Sequence, residues 1–105
     1  MSNGHFVYKH FNKMQEIIYV GKAVNPITRT RQHLNLDNKK RNTTFSHAME
    51  IDRVEVCLCE NDAHARVLEK WLIVIFNPKY NTQDKSDYIV ETTPVQPQWY
   101  ELPLI

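Results

Sequence analysis

Residues 19–33 read YVGKAVNPITRTRQH, and this stretch decides the fold because strand-forming residues give way to helix-forming ones within a few positions. The β-branched and aromatic residues 17–20 predict a strand, and Gly21 is expected to end it where the backbone turns or another group comes close. Asn25 and Pro26 then predict a helix start, with Asn25 as the N-cap and Pro26 at the first helical position. The stretch therefore predicts a strand that leads directly into a helix.

Four side chains along this stretch carry chemistry that suits a phosphate and a proton transfer. Tyr19 supplies a phenol and Lys22 an ammonium group, both near the end of the predicted strand. Arg29 and His33 stand four positions apart, so a helix would project the guanidinium and the imidazole from one face. The stretch thus predicts a site that holds a phosphate beside a group able to accept a proton.

The composition is typical of an ordinary soluble globular domain. The chain has 105 residues, of which 42% are hydrophobic and 24% charged, enough for one modest core. No apolar run approaches the roughly 20 residues of a membrane span, and the N-terminus lacks the pattern of a secretory signal. Cys57 and Cys59 are the only cysteines, and at this spacing they are expected to be structural thiols in a reducing cytosol.

Basic charge is concentrated in one part of the chain. Residues 22–42 hold six basic side chains against Asp37 alone, whereas the remainder is net acidic. The basic residues are Lys22, Arg29, Arg31, Lys39, Lys40 and Arg41. This distribution favours a face that binds a polyanion, and a solvated helix and loop remain the alternative.

Two strands are predicted to precede the helix. Residues 5–11 form the first strand, residues 12–15 a hairpin connection and residues 16–20 the return strand. A turn centred on the connection would set Tyr8 directly across from Tyr19 on one face of the sheet. Two phenols in this arrangement are commonly a packed cross-strand pair, so the pair alone does not indicate a functional site.

The middle of the chain continues the alternation of elements. The first helix is predicted for residues 26–36, and the basic, hydroxyl-bearing residues 39–44 form a loop suited to phosphate contacts. Residues 45–51 are predicted to contain a short helical turn. Residues 52–60 alternate apolar and polar side chains and predict a strand whose polar face would leave the sheet covered on one side only.

A second helix is predicted to begin at the caps Asn61 and Asp62 and to run to about Phe76, with a broad apolar face. Glu69 lies at the margin of that face. A carboxylate there is either an edge residue or is placed for chemistry, and taken alone the edge position is favoured. Residues 77–78, Asn-Pro, are expected to end the helix.

The segment after residue 81 differs in character. Residues 82–105 carry four acidic side chains against Lys85, three prolines and many apolar residues. Such a segment is too apolar for a free linker and is expected to pack on something. The chain is therefore divided into a domain at residues 1–81 and an extension that packs on it or on a second subunit, with a homodimer preferred over autoinhibition.

Several motifs together resemble those of the GIY-YIG nucleases, which include homing endonucleases, some restriction enzymes and the incision subunit of bacterial excision repair. The first motif is matched by residues 6–8, Phe-Val-Tyr, without the family's glycine, and the second by residues 19–21, Tyr-Val-Gly. The remaining matches, in the family's order and spacing, are Arg29, His33, Glu69, Pro78 and Asn81. The similarity covers about residues 5–81, and the combined set is fairly specific.

The resemblance implies an α+β fold with a small three-stranded antiparallel sheet flanked by helices. The order of elements read from the residues is strand, strand, helix, strand, helix, which agrees with that core. The C-terminal extension lies outside the resemblance.

The resemblance also implies a metal-dependent endonuclease that hydrolyses phosphodiester bonds in DNA, by nicking or by double-strand cleavage. Glu69 would bind one Mg²⁺, for which Mn²⁺ is a substitute, because a carboxylate is a hard oxygen ligand. Arg29 would hold a phosphate oxygen through its planar fork.

The implied general base is a tyrosine, either Tyr8 or Tyr19, with His33 as an alternative base or proton relay. A phenol is a poor base at neutral pH unless a nearby cation stabilises the phenolate, and Lys22 or the metal would do so. The implied substrate-binding residues are Lys22, Arg31, Lys39, Lys40, Arg41 and Asn81, of which Asn81 is more a buttress than a reacting group.

Two other functions remain open from the sequence. One is a nucleic-acid-binding module that keeps the fold and does not cut, against which the intact metal ligand and base argue. The other is an inhibitory or interaction protein that acts through its acidic, aromatic C-terminal segment. An origin in a phage or mobile element is expected by analogy with small free-standing members of the family.

Overall fold

The computed structural model describes residues 4–26, 28, 48–81 and 97–102. The strands form one antiparallel sheet in the order β2-β1-β3-β4, which makes β2 and β4 the edge strands within this part of the chain. In chain order the elements are β1 (His5–Phe11), β2 (Ile17–Ala23), a 3₁₀ turn (Ala48–Glu50), β3 (Arg53–Cys59), α1 (Asp62–Phe76) and β4 (Tyr100–Leu102). No helix among these residues is long and apolar enough to cross a membrane.

The predicted α+β class is confirmed, but the sheet has four strands within the described residues instead of the predicted three. The additional strand is β4, in which Leu102 pairs with Val54 and Tyr100 with Val56. The sequence did not indicate it because three residues between prolines are too few for an alternating pattern to be recognised.

Both faces of the sheet carry buried side chains. On one face, Val7 of β1 packs with Cys57 and Cys59 of β3 and with Leu68 of α1. The cluster on the opposite face consists of Phe6, Tyr8, Val54, Val56 and Leu102. The prediction of a sheet covered on one side only is therefore wrong, because the expected polar face of β3 becomes apolar where it passes under α1.

The two cysteines are free and buried, as the sequence predicts. Burial raises the pKa of the Cys57 thiol and raises that of Cys59 to about 11. Both side chains are therefore protonated at neutral pH and pack as small apolar groups.

Asn12 organises the connection between β1 and β2. Its side-chain oxygen accepts hydrogen bonds from the backbone N–H groups of Met14, at 3.0 Å, and Glu16, at 2.9 Å. Gln15 has a φ of 65°, in the left-handed region that tight turns use. The connection therefore has an ordered conformation of its own and extends one residue beyond the predicted loop.

The register of this hairpin differs from the predicted one. Tyr8 lies opposite Gly21 and His10 lies opposite Tyr19, with an irregularity in the pairing between His10 and Phe11. The prediction that Tyr8 faces Tyr19 directly is wrong by two positions along β2. Counting from the centre of a turn fails here because the longer loop and the irregularity both shift the pairing.

The caps of α1 agree with the predicted helix. The side-chain oxygen of Asn61 accepts a hydrogen bond from the backbone N–H of His64 at 2.8 Å. At the other end Asn77 adopts a left-handed conformation with φ 45°, and its N–H donates to the carbonyl of Ile73 at 2.9 Å. Pro78 follows and is buried, so the helix ends where the sequence predicts.

The start of the earlier helix is also described. Asn25 accepts a hydrogen bond from the backbone N–H of Thr28 at 3.1 Å, which confirms Asn25 as an N-cap, and the helical conformation begins at Pro26. The remainder of the helix predicted for residues 26–36 and the basic loop at residues 39–44 lie outside the described residues.

Residues before β4 pack against the sheet. The Lys9 ammonium lies 3.8 Å from the centre of the Trp99 ring and 3.2 Å from a carboxylate oxygen of Glu55. The Lys9 side chain is only 11% exposed, so these two partners, and not water, stabilise its ammonium group. Trp99 therefore fastens the described C-terminal residues to β1.

The burial of Leu102 makes β4 a part of the hydrophobic core. Leu102 is 5% exposed, and we expect Leu102→Ala to lower the free energy of unfolding by about 2–5 kcal/mol through lost burial and a cavity. Tyr100→Ala is the matched control on the same strand, since Tyr100 is 59% exposed and should change stability by less than about 0.5 kcal/mol. Urea denaturation measures both, and equal effects would contradict a structural role for β4.

Candidate functional site

The outer strand β2 contains a contact that only glycine allows. A Cβ atom built on Gly21 would lie 2.3 Å from both Cζ and Oη of Tyr8, far inside van der Waals contact. The phenol of Tyr8 therefore extends from β1 across the backbone of β2. Gly21 does not end the strand, which continues to Ala23, so the expected strand end is wrong whereas the expected close approach is confirmed.

Three rings form a cluster on this face of the sheet. The ring centres of Tyr8 and His10 are 5.1 Å apart, those of His10 and Tyr19 5.4 Å, and those of the two tyrosines 6.1 Å. Tyr8 and His10 are buried, whereas Tyr19 is half-buried. Of the two phenols, Tyr19 is therefore the one that solvent and a substrate reach more readily.

His10 is the member of this cluster that lies outside the motifs read from the sequence. The alternation along β1 puts it on the same face as Tyr8, which was visible in the sequence. Its contact with Tyr19 depends on the hairpin register, in which the structure differs from the register predicted from the sequence.

Glu69 lies on the opposite face of the sheet, on α1. Its neighbours one turn away, Ala65 and Ile73, are fully buried, and Glu69 itself is half-buried at the edge of that apolar stripe. Burial raises the pKa of the Glu69 carboxyl, and attraction to Lys22 and then to Lys70 opposes this rise. The carboxylate is thus partly removed from water, with cations near it.

Lys22 shares the face of β2 that packs on α1, because it alternates with Gly21. Its ammonium donates a hydrogen bond to an oxygen of Asp62, the first residue of α1, at 2.8 Å. Lys22 therefore lies on the other side of β2 from the ring cluster, on the face where its charge attracts the Glu69 carboxylate. Gly21 and Lys22, two consecutive residues of one strand, thus connect the phenol side of the site with the carboxylate side.

Asn81 braces the free edge of β2. Its side-chain oxygen accepts a hydrogen bond from the N–H of Val20, and its amide nitrogen donates to the carbonyl of Val20, both at 2.9 Å. The neighbouring Tyr80 N–H donates to the carbonyl of Ile18 at 3.0 Å. Both polar atoms of the Asn81 side chain serve the strand that carries Tyr19, which fits the buttress expected from the sequence better than a direct contact with substrate.

The structure describes Tyr8, Tyr19, Lys22, Glu69 and Asn81 of the expected site residues. The others, Arg29, Arg31, His33, Lys39, Lys40 and Arg41, lie outside the described residues. Within the described part of the chain, no group of three or more His, Cys, Asp or Glu side chains could hold a metal ion. Glu69 therefore belongs to no cluster of three or more such side chains within these residues.

Comparison with known proteins identifies relatives of most of the chain. The family model of the UvrC-like GIY-YIG domain matches residues 4–82. The chain is 32% identical over 94 residues to the UvrABC system protein C of Helicobacter acinonychis, a match that covers 83% of this chain and 16% of that protein. It is 37% identical over 81 residues to the protein of the same name from Francisella tularensis subsp. novicida, covering 77% of this chain and 13% of that protein.

Solved structures show the same similarity. A mutant of the N-terminal GIY-YIG endonuclease domain of UvrC from Thermotoga maritima, bound to its catalytic divalent cation, matches with a TM-score of 0.63 and 32% identity over 78% of this chain and 87% of that one. The same domain bound to magnesium matches with a TM-score of 0.62 and 33% identity over 77% of this chain and 86% of that one. The chain thus matches nearly all of that domain and a small part of the full-length relatives.

The Tyr8–Gly21 contact predicts a specific sensitivity to a single methyl group. Gly21→Ala should force the phenol of Tyr8 away from β2 and destabilise the fold by about 1–3 kcal/mol. Gly4→Ala is the control, because its Cβ would meet only the ends of the Leu58 and Phe6 side chains, at 3.0 and 3.2 Å. Thermal unfolding of both variants tests this, and similar melting temperatures would contradict the contact.

The environment of Glu69 predicts how stability changes with pH in metal-free protein. Because burial raises its pKa, the folded protein holds this proton more tightly than the unfolded chain, so stability decreases as pH rises through the unfolded and then the folded value. Glu69→Gln removes the charge, and we expect it to be more stable than the wild type at pH 7 and to lose this advantage at about pH 4. Melting temperatures across that range measure the difference, with the exposed Glu60→Gln as control.

Proposed function

This chain belongs to the GIY-YIG family, in its UvrC-like branch, and we propose that it hydrolyses phosphodiester bonds in DNA at the site around β2. Membership identifies it as a GIY-YIG-type endonuclease, a metal-dependent class. The assignment to this site rests on two observations at consecutive residues of β2. The Tyr8 phenol approaches Gly21 on one face of the strand, and on the other face the charge of Lys22 attracts the Glu69 carboxylate.

Tyr19 is the proposed general base. It is half-buried and can contact both protein and substrate, whereas Tyr8 is buried and positions the neighbouring ring. His10 lies between them and packs against both phenols. In its phenolate form, Tyr19 accepts the proton of the attacking water and becomes the neutral phenol, and His33 is the relay that takes this proton on and restores the phenolate.

Glu69 is the proposed ligand for one Mg²⁺. A single carboxylate fits this ion, which takes oxygen ligands and keeps several waters, better than it fits zinc, which needs three or four protein ligands. The half-buried carboxylate also gains a cation partner that would offset the cost of its desolvation. When bound, Mg²⁺ supplies positive charge that polarises the scissile phosphate and stabilises the leaving oxygen. Mn²⁺ is the proposed substitute.

The remaining residues are proposed to bind phosphates of the DNA or to position β2. Arg29 holds an oxygen of the reacting phosphate, and Lys22 supplies a further charge on the Glu69 side. Contacts with more distant phosphates are assigned to Arg31, Lys39, Lys40 and Arg41. Asn81 is a positioning residue that fixes the edge of β2 through Val20.

The wider setting is also a proposal. Residues 1–81 are the nuclease unit, and residues 82–105 are an extension that packs on it, which the pairing of β4 with β3 supports. Because its relatives are proteins of a bacterial UvrABC system, we assign the chain to DNA cleavage in the cytoplasm. A homodimer and a phage or mobile-element origin stay predictions from the sequence.

Glu69→Gln tests the metal and the reaction together. Wild-type protein should nick or linearise plasmid DNA with Mg²⁺ and not with EDTA, and Glu69→Gln should lower the rate by at least about 100-fold. Binding to the same DNA should remain nearly unchanged, because the carboxylate is assigned to the metal. Mg²⁺ should raise the melting temperature of the wild type only. A variant that cuts at the wild-type rate would refute the assignment, and a wild type that binds without cutting would favour the non-cleaving module.

The basic loop at residues 39–44 should strengthen DNA binding, and this contribution should weaken as the salt concentration rises. Replacing Lys39, Lys40 and Arg41 together by Gln removes three phosphate contacts, so the slope of log K against log salt should flatten by about 2–3 units. Binding measured between low and physiological salt gives this slope. Replacing Lys13 and Lys79, which are exposed and assigned no role, is the control for general loss of charge. An unchanged slope would show that the loop does not contact the DNA backbone.

A further inference from the structure

An ionic contact between β2 and α1 has no role in the mechanism described above. The Lys22 ammonium donates to Oδ1 of Asp62 at 2.8 Å. The other carboxylate oxygen, Oδ2, accepts from Nε of Arg66, one helical turn further along, at 3.1 Å. Each oxygen of Asp62 therefore has its own cation, and the two contacts together fix the orientation of the carboxylate.

The contact joins the two halves of the candidate site. Lys22 directly follows Gly21, over which the phenol of Tyr8 lies, and it is three positions after Tyr19. Asp62 begins the helix that carries Glu69 two turns later, roughly 10 Å along the axis. Lys22 is also the foremost of the cations that attract the Glu69 carboxylate. Asp62 thus holds a charge that acts at the site.

Stability gives little reason for the contact. The side chains of Lys22 and Asp62 are 31% and 48% exposed, and ion pairs of this exposure stabilise a fold only slightly. A lysine side chain is a flexible four-carbon stem with a point charge at its end, so without a partner the ammonium would sample many positions. The hydrogen bond from Lys22 lowers the pKa of Asp62, which keeps the carboxylate charged and able to restrain the lysine.

On the basis of the proposed endonuclease function, we propose that Asp62 is a positioning residue that holds the Lys22 ammonium at the edge of β2, where it meets a phosphate of the DNA. Arg66 restrains Asp62 from the other side. The role requires no contact between Asp62 and substrate, and repulsion between its carboxylate and a phosphate is offset by the two cations it binds.

A double-mutant cycle tests this proposal. Asp62→Asn keeps the size of the side chain and removes its charge, and kcat/KM for plasmid nicking with Mg²⁺ should fall about tenfold because the ammonium is misplaced. Lys22→Met should lower kcat/KM by at least as much. The double variant should be no slower than Lys22→Met alone, since Asp62 acts only through Lys22. Melting temperatures should stay close to that of the wild type.

Glu101→Gln is the matched control. It removes a carboxylate that also pairs with a basic side chain, Arg53 at 3.8 Å, but it lies on β4 at the other edge of the sheet. It should leave kcat/KM within about twofold of the wild type, as expected for an exposed pair without function. Wild-type activity in Asp62→Asn, or additive losses in the double variant, would overturn the proposal.

Failure of the Asp62 proposal can be distinguished from failure of the proposed endonuclease function. A wild-type protein that cuts no DNA contradicts the proposed function, and the same cycle is then read from the dissociation constant for a DNA duplex. Loss of affinity in Asp62→Asn that disappears in the Lys22→Met background supports the positioning role. Independent or absent effects refute it.

Discussion

The approach of the Tyr8 phenol to the backbone of Gly21 is the constraint on which the candidate site depends. No side chain fits between the two, so a ring that starts on the interior strand β1 can extend over the outer strand β2. The same register sets His10 opposite Tyr19 and so assembles the ring cluster. A hairpin that shifted by one residue would turn Tyr19 to the other face of the sheet and separate the phenols.

The edge strand β2 is held in place by hydrogen bonds from the segment that follows α1. An edge strand exposes unpaired N–H and C=O groups and is easily displaced. Asn81 satisfies both groups of Val20 and the backbone N–H of Tyr80 donates to Ile18, so the segment after α1 lines the outer edge of β2. The strand that carries the proposed base is therefore supported from both sides.

The surroundings of Glu69 on the α1 face are better suited to binding a cation than to stabilising the metal-free fold. Glu69 is half-buried beside apolar neighbours, which disfavours its charged form. Lys22 and Lys70 reduce this cost in part, while Asp62 acts in the opposite sense. A carboxylate left partly uncompensated is well suited to gain a cation, and a bound divalent ion would complete the balance of charge. On the proposed assignment of Glu69 to Mg²⁺, binding of the ion would recover the energy that the desolvated carboxylate costs the metal-free fold.

The sequence by itself determined the class of fold, the caps of α1, the N-cap at Asn25 and the set of motifs, because each depends on residues close together in the chain. It did not give the hairpin register or the strand β4. The register depends on how many residues the loop and the irregularity in pairing consume, and β4 is a strand only because β3 offers it a partner. The same division holds for the site. The motifs in the sequence name Tyr8, Tyr19 and Glu69. Contacts between strands, and between strand and helix, decide the role of Gly21, the place of His10 and the link from Lys22 to Asp62. Such contacts join residues far apart in the chain, as Val20 and Asn81 at a separation of 61 positions, and only the tertiary structure decides them.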